Sequence, residues 1–306
     1  MSHIGKSASD RSTFALEPIS EALSHILDLV DRRIVWIALL FLSCGGRSTE
    51  ARLRSELAAT TTGVIRLPAG LVEVSSELRL APDAHDLEIV GSGTVLKASD
   101  RFAGRAILVA EGVQHVHLRD FSVDGNRAVL EKPQPIIPPE NAFRVYYSNN
   151  GIWFDRVDGL EISNVHFKNV TNFPILISRS SAARIVHDEV RDSGSLNAAG
   201  KNNATGGILI EEGSSDFEVR DCVFVNILGN AVWTHSLLRA PRSRNGTIAE
   251  NHFEFIGRDA IQVGHATNVR VELNTGTHIG YPVDIVDARE RRWRWIPRET
   301  WTIRFI

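Results

Sequence analysis

Apolar and polar positions alternate in short runs along most of this chain, and the runs recur as a phrase: GLEISNVHFKNV, ARIVHDEVRDSG, FEVRDCVFVNIL, GTIAENHFEFIG and VRVELNTGTHIG. Period-two patterning over such lengths predicts strands rather than helices. A second short strand follows each phrase, as ILIS, GILIE, AVWTH, AIQVG and PVDIV. Where no loop intervenes the spacing is constant: Ile162 to Ile185 and Ile248 to Val271 are both 23 residues. A unit of that size cannot bury its own apolar face, so it must stack on its neighbours. The prediction is an all-β solenoid with one coil per repeat. An Asn or Asp recurs after the first strand, at Asp120, Asn164, Asp188, Asp221, Asn251 and Asn274. A tight bend there would use their tolerance of left-handed backbone and stack them as a polar ladder. Val123, Phe167, Val190, Phe224 and Phe253 recur just beyond, predicting an apolar stack inside the bend.

The pattern runs from Gly63 to Asp287 and fails at both ends. Within residues 47–62, Ser48 to Ala59 reads as an amphipathic helix with Leu53 and Leu57 four apart, placed to cover the first coil. Residues 1–46 read as a leader. After Arg32 and Arg33 come nine apolar residues, IVWIALLFL, and then Ser43, Cys44, Gly45 and Gly46. That is the order of an export signal, and it is too short to span a bilayer. The long stretch ahead of it is expected from a start codon assigned too far upstream. Residues 288–306 hold three of the six tryptophans and no repeat phrase. Back-translated and read two bases further on, this tail permits another coil, so a frameshift is expected; a genuine aromatic, basic cap is the alternative.

The repeated phrases resemble the right-handed parallel β-helix of the pectate-lyase superfamily. The resemblance implies a single-stranded right-handed parallel β-helix with an N-terminal capping helix. Phe41-Leu42-Ser43-Cys44 resembles a bacterial lipobox, with Phe41 and Leu42 departing from its usual residues. Cys44 is therefore a candidate lipidation site, and the protein is expected to be exported, periplasmic or extracellular, with a lipid anchor in the outer membrane or plain cleavage as alternatives. Polygalacturonase-like hydrolases resemble one another through Asn-Thr-Asp, Asp-Asp and Gly-His-Gly motifs. Here Gly257-Arg258-Asp259-Ala260-Ile261 holds one Asp, and Gly264-His265-Ala266 lacks the second Gly. An epimerase-like Asp-Pro-His is missing. No catalytic residue carries over by motif, and the superfamily also contains solenoids that only bind.

Composition narrows the partners. A net charge of -3 over 306 residues gives no basic face for nucleic acid, and a monomer is expected. Of the two cysteines, Cys222 reads as a small buried residue rather than half of a disulfide. His115, His117, His166, His187 and His252 lie on first-strand or bend positions without metal-ligand spacing.

Alternation places the candidate chemistry on the outer face of the second strand. Trp153 and Asp155 point out, as do Leu176 and Ser178, Leu209 and Glu211, Trp233 and His235, and Gln262; His265, Asp284 and Asp287 lie at or beyond their strand ends. Extra lengths at Gly125 to Gly151, Ser193 to Gly206 and Ser236 to Asn245 adjoin these strands and would wall one groove. Aromatic platforms at Trp153 and Trp233 beside carboxylates suit a polysaccharide, with Gln262, His265, Asp284 and Lys201 as further binding residues. Two chemistries stay open. An inverting hydrolase would use Glu211 as acid and Asp155 as base, two coils apart and roughly 9 to 10 Å away, with His235 tuning Glu211. A lyase would use His235 as base, with Glu211, Glu212 or Asp284 holding a Ca²⁺ and Lys201 as cation or base. A non-catalytic glycan- or protein-binding solenoid, or an inactive remnant of an enzyme, is the reading from the other class.

Overall fold

A computed structural model describes residues 48–280 apart from Pro139. Helix α1 (Thr49–Ala59) buries Leu53 and Leu57 against the first coil. Glu50 accepts from the Ser75 amide at 2.7 Å, and Arg54 donates to the Ser76 carbonyl at 3.0 Å. The open end of the solenoid is thus covered and its edge amides partly paired.

Nineteen strands follow among the described residues, wound as a parallel β-helix with three strand stacks. The first stack pairs Ile162 with Ile185 and Ile248 with Val271, so the 23-residue spacing is one rung of register. The second stack corrects the sequence reading of this stretch as a bend. Val123, Phe167, Val190, Phe224 and Phe253 lie on successive paired strands, and the Phe224 and Phe253 rings stack at 5.0 Å. The third stack runs through Asn150–Asp155, Ile175–Ser178, Gly206–Glu211, Asn230–His235 and Ile261–Val263. Apolar side chains from all three fill one continuous interior.

The predicted polar ladder divides into two rows. At the bend between the first two stacks the left-handed residues are Asp120, Asn164, His187, Asp221, Glu250 and Leu273, with φ between 52° and 63°. Asp188, Asn251 and Asn274 come one residue later; Asp188 and Asn251 are buried. The bend needs one left-handed residue, and the next turns toward the core. Asp188 there accepts from the Val165 amide at 2.6 Å and Asn251 from the Cys222 amide at 3.0 Å. Asn274 accepts from the Asn251 amide at 3.0 Å. Each of these residues satisfies the coil behind it. Cys222 is a free, buried cysteine, as expected.

Cys44, Asp284, the export segment and the tail after Asp287 lie outside the described residues. Among the described residues no helix is long and apolar enough to cross a membrane.

Candidate functional site

The third stack keeps the predicted alternation. Ile152, Ile175, Ile208 and Val232 pack into the solenoid, while Trp153, Leu176, Leu209 and Trp233 face outward in register. Asp155, Ser178, Glu211 and His235 form the outward row at the strand ends, and Gln262 continues the Trp233 row.

The tryptophans are not open platforms. Trp153 is 3% exposed and Trp233 7%, because the segment from Arg127 to Asn149 folds back across the sheet as a strap. It carries two short helices, α2 (Arg127–Leu130) and α3 (Phe143–Tyr146). Phe143 packs edge-on to Trp233 at 4.9 Å and to Phe173 at 6.0 Å, and stacks with Tyr147 at 5.6 Å. The Trp153 indole donates to the Arg144 carbonyl at 3.1 Å, while the Arg105 guanidinium lies 4.1 Å over its ring. These side chains, with Leu176 and Leu209, make a second apolar core outside the coil. The strap also pairs with the second loop, Gln134 donating its amide to the Leu196 carbonyl at 3.0 Å.

Asp155 is 1% exposed rather than free on the surface. Arg179 grips its carboxylate with two nitrogens, the Nε to Oδ1 contact being 2.8 Å, and Arg156 stands 3.0 Å away. A buried carboxylate requires such partners. Arg156, Arg179 and Glu212 follow the strand ends at Asp155, Ser178 and Glu211, and all three have left-handed backbone, with φ of 54°, 51° and 58°. Sequence reading passed over Arg179; its place one residue beyond a strand end, matching Arg156 and Glu212, was the available signal.

Glu211, fully buried, accepts from the Phe143 amide at 3.0 Å and the Arg144 amide at 2.9 Å, so it holds the start of α3. Burial pushes its carboxyl up to about 8; the Arg144 amide opposes that shift and the Glu212 charge adds to it. Glu212, 7% exposed, accepts from the Leu237 amide at 2.8 Å. His235, paired with Glu211 in the ladder, is pushed down to about 4 by burial and by His265, so its imidazole is neutral near pH 7. Its Nδ1 is buried without a hydrogen-bond partner. One ligand atom from each of Glu211, Glu212 and His235 lies within 4.8 Å of the others. A neutral imidazole beside two carboxyl groups can move a proton or, once both are ionised, coordinate a cation.

The remaining candidates lie around this group. His265 is exposed, with its ring edge-on to His235 at 5.1 Å. Gln262 accepts from the Asn230 side chain at 2.6 Å. Lys201 is exposed on the second loop, its amide bonded to the Asn197 side chain at 3.0 Å.

A family model described as a right-handed beta helix region matches residues 140–290. The chain folds as a right-handed parallel β-helix. Among solved structures, this β-helix protein resembles a polygalacturonase from Erwinia carotovora ssp. carotovora, with a TM-score of 0.56 and 15% identity over 76% of this chain and 67% of that one. It also resembles the catalytic domain of a GH87 α-1,3-glucanase solved with tetrasaccharides, with a TM-score of 0.52 and 14% identity over 76% of this chain and 38% of that one. At such identities the likeness establishes the fold. No curated protein matches the sequence.

Proposed function

We propose that this protein is an exported, carbohydrate-active β-helix that engages a polysaccharide along the loop-walled end of the third stack and cleaves it as a lyase or glycoside hydrolase. The observation that carries the reading is the convergence of Glu211, Glu212 and His235 on neighbouring rungs, beside the exposed His265. The two solved neighbours, a polygalacturonase and an α-1,3-glucanase, support the substrate class. In this reading Asp155 anchors Arg179 instead of activating water, and Trp153 and Trp233 form the floor beneath the strap. His265, Gln262 and Lys201 take the sugar contacts.

A second reading, glycan binding without turnover, draws on one observation: the carboxylates of Glu211 and Asp155 are already held by internal donors. A polysaccharide panel separates the two. New reducing ends indicate cleavage, and the ultraviolet absorbance of an unsaturated product marks elimination. Loss of turnover in both Glu212→Gln and His235→Ala, with the far-UV spectrum unchanged, supports the catalytic reading. Unchanged turnover in both variants removes this centre. Retention on immobilised glycan without new ends favours binding alone.

A further inference from the structure

Glu211 and Glu212 are consecutive, both buried, and separated from His235 by less than 4.8 Å at their ligand atoms. Among the described residues neither glutamate forms an ion pair, in contrast to Asp155 nearby with its two arginines. Arg144 acts on Glu211 and Arg179 on Glu212 only from beyond ion-pair distance, so the two buried carboxyl groups can both ionise only where a cation closer in compensates them. His235 adds an independent sign, since its Nδ1 is buried and unpartnered although buried polar atoms are as a rule hydrogen-bonded. Both carboxylates are also fixed from behind, Glu211 by the Phe143 and Arg144 amides and Glu212 by the Leu237 amide. Hydrogen bonds of this kind orient side chains that ligate metals.

We propose that Glu211, Glu212 and His235 bind a divalent first-row transition cation of the Zn²⁺ or Mn²⁺ class. One imidazole nitrogen with two carboxylates is a mixed donor set that such ions favour, whereas Ca²⁺ and Mg²⁺ take oxygen alone. Three protein ligands leave coordination positions for water or a sugar hydroxyl, as in metal sites that act on substrate. The proposal rests on the cluster being the working centre and specifies what that centre holds. Its test is independent of turnover.

The full chain, stripped with chelator and dialysed, is titrated calorimetrically with Zn²⁺, Mn²⁺ and Ca²⁺ in separate experiments. The expected result is one saturable Zn²⁺ or Mn²⁺ site, with Ca²⁺ at least about tenfold weaker. His235→Ala and Glu212→Gln should each weaken that site about tenfold or more. His187→Ala, an exposed histidine on the bend between the other two stacks, should leave it unchanged and so controls for adventitious surface binding. Absence of a saturable site, equal affinity in both cluster variants, or preference for Ca²⁺ would overturn the proposal. Metal binding without polysaccharide cleavage keeps it and removes the catalytic reading; cleavage by a chain that binds no metal does the reverse.

Discussion

Replacing Asp188 by Asn should stabilise the solenoid, and by more as the pH rises. Asp188 sits in the interior with Oδ1 accepting from the Val165 amide and Oδ2 without a partner. Burial raises its carboxyl well above the ordinary value of 3.8, with the Val165 amide opposing and Glu161 adding to the rise. The folded state therefore binds more protons than the unfolded one above pH 3.8, and stability falls with rising pH by about 1.4 kcal/mol per unit until the folded group ionises. At pH 7 that loss is at most about 4 kcal/mol. An Asn removes the titration and has a place prepared for it. Asn251 donates to the Val219 carbonyl at 3.0 Å and Asn274 to the Ile248 carbonyl at 2.8 Å, so the same offset directs an amide at 188 toward Ile162. Guanidinium midpoints of parent and Asp188→Asn between pH 5 and pH 8 make the assay, backed by thermal midpoints, where a gain of 1 kcal/mol is about 2 to 4 °C. The midpoints should diverge as the pH rises. A variant less stable than the parent at pH 7, or two parallel pH profiles, would refute the reasoning.

Three further outcomes follow from the packing. Arg179→Ala strands the Asp155 carboxylate beside Arg156 alone and should cost about 3 kcal/mol in chemical denaturation, with Asp155→Asn in the same chain recovering part of the loss. Phe143→Ala empties the centre of the outer core, so limited proteolysis should cut within 127–149 at a rate well above the parent's while the coils keep their denaturation midpoint. Gly229→Ala would bring a Cβ to 1.7 Å from the Thr205 carbonyl oxygen, and a loss of about 2 kcal/mol in the same assay is expected because the obstacle is backbone.

The stacking direction and the inward and outward alternation were legible because both depend on periods, and a period survives without knowledge of the neighbours. Ile162 over Ile185, and Trp233 in the row of Trp153, follow from counting. The phase at the bend did not follow. His187 and Asp188 both accept a polar reading, and only the coil behind, with its free amide at Val165, decides which one turns inward. The site was hidden for a different reason. Trp153 and Asp155 point outward as alternation requires, yet outward is not exposed when the strap closes over the indole and two arginines close over the carboxylate. The strap's destination is written in contacts between residues far apart, such as Glu211 with the amides of Phe143 and Arg144, and no local pattern encodes those.

The inward row of polar side chains also determines how this molecule can change length. From Asn251 to Asn274 is one complete turn with no loop, and each side chain bonds the turn behind it, while the two side chains also bond each other across the turns. A copy of that turn spliced in beside the original would meet the same amides, the same carbonyls and the same Phe253 row, so the rod is extensible in whole quanta at that end. The turns bearing the strap have no such freedom, since Glu211 and Trp153 must meet one particular loop. The architecture is thus modular where it only stacks and irreplaceable where it is covered.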